Sequence, residues 1–448
     1  MSLASTLAAF AIDARVPDDA RRRAHGAWID TIGVILAGSV EPPARIVQRL
    51  ACAEGGHSRC RVLGVDLATS ASLAAFANGT AAHALDYDDM CFVSLAHPSA
   101  TLVPAALAAG ELAGASGSAV LDAYVVGFEV EAVLGRAMNP SHYARGWHCT
   151  STFGAVGAAA AAARLLGLDA DRACHALGIA ASSASGLKEN FGTMTKPLHA
   201  GLAARDGVTA ALLARDGFTA SPAALDGVQG LIAAASDATD RSPAIADIGQ
   251  RWEIIETGIT TKLYPSCAAT HPALDAILDL RREHDLTADH VRSVTIMVDA
   301  VTPSVLLYPA PDTGLQAKFS MPYCAAAALV SGRVGIDAFG DAIHDAAIRD
   351  LMARVTMTVD PDLGRTAPSL TQARVALALA EGRVLRAFAD GARGYPSRPA
   401  SEAAVHDKFV DCARRTLTPD HAEEAWLAAR EIPAVPDIRA LTDRLCGT

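Results

Sequence analysis

The apolar positions of this chain follow two rhythms. From the N-terminus to about residue 260 they recur at helical spacing and almost never alternate. The clearest case is 17–38, where Trp28, Ile29, Ile32, Ile35 and Leu36 share a face that ends at Gly38. The Ala-rich run 68–85 reads as another helix, with the acidic segment 86–90 as its end or the loop after it. His97-Pro98 is a break, because the proline ring disfavours helical backbone in the residue before it. Helices over 99–115 and 118–138 follow, with small residues that let helices approach closely. A buried helix is expected over 150–167, and others over about 170–185 and 197–215, the last entered through Lys196-Pro197 with proline in its first turn. This part reads as all-α.

After residue 270 the rhythm changes to period two. Residues 291–299, 354–360 and 373–388 alternate like half-buried strands, the last stretch forming a pair joined at Glu381-Gly382. Helices are expected between them, over 320–332 and 336–353. The pattern predicts a mainly α protein. A large all-α helical domain comprises 1–269 and 396–448, and a smaller α+β lid domain with an antiparallel sheet comprises 270–395. The tail from 400 is helical again and is expected to dock on the large domain.

Composition narrows the class. The chain has 448 residues, about half of them apolar, and a net charge of -11 with no Lys/Arg-rich block, which argues against a nucleic-acid partner. Residues 1–15 lack the basic and apolar regions of a signal peptide, and no uninterrupted apolar run reaches membrane-spanning length. The nine cysteines include no C-x-x-C pair, as expected for reduced thiols in a cytoplasmic protein.

Against this background ionisable residues gather in a few stretches. N-G-T-A-A-H-A-L-D-Y-D-D (78–89) leads through Met90 to H-P-S (97–99), and G-W-H (146–148), K-P-L-H-A-G-L-A-A-R-D-G (196–207) and K-L-Y-P-S-C (262–267) follow. In this order they resemble the MmgE/PrpD family, which includes 2-methylcitrate dehydratases, cis-aconitate decarboxylases and iminodisuccinate epimerases. The resemblance covers most of the chain. It implies a homodimer with a small di- or tricarboxylate substrate and chemistry without metal or cofactor. Its active-site positions fall on Asp86, His97, His148, Lys196, Lys262 and Tyr323. Met90 and Cys267 stand where the decarboxylase branch carries Thr and His, and the spacing from the acidic run to His97 is one residue longer. That points to the epimerase-like branch, with a dehydratase or decarboxylase as the alternative.

The chemistry sorts these residues. Polycarboxylates need fixed cations, supplied by Lys196 and Lys262, and Lys196 lies where a helix N-terminus also favours an anion. Proton exchange beside a carboxylate needs two opposed bases, for which His97 and His148 lead, with Cys267 as a substitute if its thiol is activated. Asp86 orients a histidine or holds a lysine, whereas Asp88 and Asp89 read as capping or structural residues. Tyr323 is placed to donate to a substrate carboxylate, and Met90 to line the substrate. His83, Asp86, Asp88 and His97 also suit a divalent ion by donor type, but their spacing matches no metal motif, and no metal is expected.

Overall fold

The computed structural model describes residues 2–57, 59–239, 246–364 and 371–446. Its contacts divide the chain into two compact units, one comprising Met1–Asn190, Met194–Ile259 and Glu402–Thr448, the other Phe191–Thr193 and Thr260–Ser401. The chain is mainly α, with a smaller α+β part.

In the first unit, helices form where the apolar spacing places them: Asp18–Gly38, Pro98–Ala113, Gly117–Met138, Cys149–Leu165, Ala170–Ser183 and Thr195–Arg215. Asp18 and Asp19 stabilise the first turn of Asp18–Gly38 against the helix dipole. The helix Cys149–Leu165 is buried along nearly its whole length, which its run of alanines permits because Ala loses no side-chain freedom and lets neighbours approach. The C-terminal helices Glu402–Ala413 and Pro419–Arg430 belong to this unit. Lys408 there pairs with Asp30 at 2.7 Å inside the protein, and the Phe409 ring lies against Gly33.

Two expectations fail here. The stretch before 260 is not wholly α, because Cys60–Val62 and Leu67–Thr69 pair as an antiparallel hairpin. The run 68–85 therefore starts its helix only at Ala71, where the Ser70 hydroxyl accepts from the Leu73 amide. The hairpin was missed because three-residue strands are too short to show a period. Asn78 holds it, accepting from the Leu63 amide at 2.9 Å and donating to the Arg61 carbonyl at 3.0 Å.

The second unit carries a four-stranded sheet in the order Val355–Val359, Val291–Val298, Ala373–Leu379, Val384–Ala389. The sheet is mixed rather than antiparallel: Val355–Val359 runs parallel to Val291–Val298, while the other neighbours are antiparallel. The helices Met321–Ser331 and Ala346–Met352 lie in the long connection between the parallel pair, the crossover that such pairing requires. The helix expected over 336–353 is broken into two 3₁₀ turns, Ile336–Phe339 and Asp341–His344, and the short helix Ala346–Met352, which Asp345 caps through the Ala347 and Ile348 amides. The unit also begins at Thr260 and ends at Ser401, not at 270 and 395. Local bonds explain the earlier start: the Thr261 amide donates to the Gly394 carbonyl at 3.0 Å, and Lys318 Nζ donates to the Pro265 carbonyl at 2.8 Å. Among the described residues, no helix is long and apolar enough to cross a membrane.

Candidate functional site

Two glycines bring the chemistry together in the first unit. A Cβ on Gly79 would lie 2.9 Å from Gly201 Cα, and a Cβ on Gly201 would lie 2.5 Å from the Phe76 carbonyl oxygen. The helices Ala71–His83 and Thr195–Arg215 therefore touch backbone to backbone. His83 lies one turn after Gly79, and Lys196 lies slightly more than one turn before Gly201, so antiparallel contact brings the two ends face to face. Lys196 Nζ reaches His83 Nε2 at 2.7 Å and Asp86 Oδ1 at 2.5 Å. Asp86 follows the helix with φ 52°, a left-handed backbone that Asp tolerates better than most residues, and this reversal turns its carboxylate toward the ammonium.

An ammonium only donates, so His83 must accept at Nε2 and carry its proton on Nδ1. That nitrogen lies 2.7 Å from Asp88 Oδ2, and His97 Nδ1 lies 3.3 Å from the same oxygen. The His83 ring meets His97 edge-on at 4.6 Å and stacks on His148 at 5.7 Å between centroids. His148 Nδ1 in turn lies 3.1 Å from His199 Nδ1. His83, Asp86, Asp88, His148, Lys196 and His199 are all buried, and the His97 side chain is 12% exposed.

The helices themselves add to the field. His97 is the N-cap of Pro98–Ala113 and His148 the N-cap of Cys149–Leu165, while Lys196 sits in the first turn of Thr195–Arg215 rather than just ahead of it. Three long helices thus open at the same cluster, and each positive end favours an anion. The residues between are held in shape locally. Cys91 and Ala96 exchange backbone bonds that close the loop before His97, whose amide donates to Thr150 Oγ1 at 3.0 Å. The Asp89 carboxyl takes both the amide and the hydroxyl of Ser99, and Ser99 Oγ lies 2.6 Å from the Tyr124 hydroxyl.

Electrostatics follow from burial and neighbours. Burial alone would raise the pKa of Asp88, but His83 and His97 outweigh it and hold the carboxylate well below its usual range. Burial, with Asp30 and Asp88 nearby, pushes Asp89 up to about 8 despite the Ser99 bonds. Burial pushes His83 down, as does Lys196, against the pull of Asp88. His148 is pushed well below the imidazole range by burial and then by Lys196, and His199 falls to about 4 through burial, His83 and Lys196. At neutral pH these rings are uncharged.

The donor atoms of His83, Asp86, Asp88 and His97 lie within 4.8 Å of one another, a set that matches a divalent ion in donor type. The Lys196 ammonium, however, is bonded to two of the four, His83 and Asp86, and supplies the positive charge there itself. A cavity of about 570 Å³ elsewhere in this unit, lined by Ser182, Phe218, Gln229 and Leu231 among others, gathers no titratable side chain and is remote in character from this chemistry.

The structure therefore brings Asp86, His97, His148 and Lys196 into one cluster. Met90 is half-buried in the same segment. Lys262, Cys267 and Tyr323 belong to the second unit. Lys262 is fully buried there, and Cys267 is half-buried with its amide donating to the Lys318 carbonyl at 3.0 Å. The Tyr323 hydroxyl donates to the Ala338 carbonyl, so its one proton is spent on the backbone rather than held for a substrate. Three members of the cluster were not read as its working parts. Asp88 is no cap but a carboxylate shared between two imidazoles, His83 is the acceptor for Lys196, and His199 backs His148. The signal for His199 was its place one turn after Lys196 on the same helix face.

Comparison with known proteins agrees with this architecture. Residues 2–244 match the MmgE/PrpD N-terminal domain and residues 264–433 the MmgE/PrpD C-terminal domain. The chain is similar to a cis-aconitate decarboxylase of Mus musculus, 28% identical over 443 residues that cover 95% of this chain and 89% of that protein. A cis-aconitate decarboxylase of Homo sapiens is 27% identical, covering 94% of this chain and 89% of its own length. One from Aspergillus terreus (strain NIH 2624 / FGSC A1156) is 26% identical, covering 96% and 92%.

Proposed function

The chain belongs to the MmgE/PrpD family, and from that premise we propose that it is a lyase that decarboxylates a small tricarboxylate of the cis-aconitate type by proton transfer. It is an enzyme of this family, a lyase or an isomerase. The names of its relatives favour the lyase over the epimerase that Met90 and Cys267 suggested. The observation that carries the reading is a buried ammonium ringed by imidazoles where three helices begin.

In this reading Lys196 and the helix N-termini anchor carboxylates, offsetting the loss of their hydration. The bond to the departing carboxylate breaks, its electron pair forms a new C=C bond, and carbon dioxide leaves. The pair of the old C=C bond moves to the carbon beside a remaining carboxylate and takes a proton there. His97 supplies that proton, because it is the most exposed imidazole of the cluster and has Asp88 as counter-ion to its charged form. His148, uncharged, donates a hydrogen bond to carboxylate oxygen as charge builds.

The test is incubation with cis-aconitate in deuterated water. Release of carbon dioxide with one solvent deuterium in the product supports the proposal. Turnover of no tricarboxylate, or deuterium entering a dicarboxylate without carbon dioxide, rejects it; the second outcome restores the epimerase reading.

A further inference from the structure

We propose that His199 is a positioning residue that fixes the proton of His148 on Nε2, making His148 a neutral hydrogen-bond donor toward the substrate. This deepens the lyase reading and rests on it for the polycarboxylate that His148 Nε2 contacts.

The geometry leaves little choice. His148 Nδ1 and His199 Nδ1 lie 3.1 Å apart, so one must carry hydrogen and the other a lone pair. The His148 backbone is fixed as a helix N-cap, with its amide donating to the Gly186 carbonyl at 3.0 Å. The ring is buried and stacked on His83. His199 is held just as firmly. It sits one turn into a long helix, its carbonyl accepts from Ser151 Oγ at 3.3 Å, and Gly186, at φ 108°, packs so closely that a Cβ there would lie 3.4 Å from the His199 ring. The stacked His83 ring and the close approach of Gly186 crowd the two imidazoles into this contact.

The surroundings keep both rings neutral. Burial first, and then Lys196, His83, His199 and His97, hold the His148 ring well below the imidazole range. A neutral imidazole has a single N–H. Carboxylate oxygens only accept, so a polycarboxylate contacted by Nε2 requires that hydrogen on Nε2. Nδ1 is then bare, and the His199 Nδ1–H is what satisfies it. A carboxylate in place of His199 would do the reverse, drawing the His148 proton to Nδ1 and favouring imidazolium. The neutral backing group therefore selects a donor rather than a base at this position.

The experiment uses the full-length protein with ¹⁵N-labelled histidine, saturated with tricarballylate, a tricarboxylate without a double bond. In the wild type the His148 ring should show a bare Nδ1 and a protonated Nε2, and His199→Asp should move the proton to Nδ1. His199→Leu should lower kcat about ten- to hundredfold, the loss of one aligned donor, with KM changed far less, and His199→Asn, whose amide still reaches the Nδ1 position, should recover much of it. A His148 already protonated at Nδ1 in the wild-type complex overturns the proposal, as does a His199→Leu protein with wild-type kcat. The spectrum needs only a folded, ligand-bound wild type, so it decides the tautomer even if no tricarboxylate is turned over, a result that would reject the lyase reading alone.

Discussion

Replacing Lys196 with methionine removes the ammonium bonded to His83 and Asp86 while keeping most of its bulk. Lys196 and Asp86 are both about 5% exposed in their side chains and 2.5 Å apart. The variant leaves the carboxylate buried without its cation, and breaking a buried pair in this way costs about 3–5 kcal/mol. The lost bond to His83 Nε2 adds about 1 kcal/mol. Equilibrium urea unfolding at pH 7 should show a loss of that size. Adding Asp86→Asn should return most of it, because the penalty comes from a buried charge that has lost Lys196 and not from missing volume. Polycarboxylate binding should stay lost in both variants. Lys196 also pushes down His83, His148 and His199, so these rings should titrate at higher pH once it is gone. A Lys196→Met protein as stable as the wild type, with unmoved histidine titrations, would refute the buried-pair geometry. A double variant no more stable than the single one would refute the charge argument.

The helix contact offers a steric test: Gly201→Ala puts a Cβ 2.5 Å from the Phe76 carbonyl, so stability should fall by about 1–3 kcal/mol and, as Lys196 is displaced from His83, activity by roughly a hundredfold; unchanged activity would show that the close approach is dispensable. Asp89 holds its proton more tightly folded than unfolded, so its contribution is fully present below about pH 4 and is lost as pH rises through about 8, a change on the order of 5 kcal/mol. Asp89→Asn should flatten the stability loss between pH 5 and pH 9, and identical slopes for both proteins would contradict the assignment. Chelator treatment should leave ligand binding intact because Lys196 supplies the cluster's cation, whereas a stoichiometric divalent ion in the purified protein would sink that view.

Long helices were legible because their apolar faces repeat over several turns, as in Asp18–Gly38 and Gly117–Met138. The hairpin at Cys60–Val62 and the parallel placement of Val355–Val359 were not, because three residues carry no period and strand direction is set by a distant crossover. At the site, sequence order gave up Asp86, His97, His148 and Lys196 as candidates, since scarce ionisable residues stand out in alanine-rich surroundings. The work of Asp88 and His199 was hidden. Each acts through an imidazole that it touches only after two helices or a reversed loop have closed, and the Gly79–Gly201 contact that closes them joins residues more than a hundred positions apart.

Four side chains of metal-binding type around a lysine call for a reason why the cation is an ammonium. A divalent ion would fix two positive charges in the cluster whatever is bound. Lys196 fixes one, and the helix N-termini of Pro98–Ala113, Cys149–Leu165 and Thr195–Arg215 add fractional charge. The attraction for an anion therefore grows with the charge the anion brings. In the proposed decarboxylation, a tricarboxylate enters and a dicarboxylate remains. The product has lost one of the charges that drew the substrate in, so the same electrostatics that bind the one hold the other less tightly, and release needs no separate device.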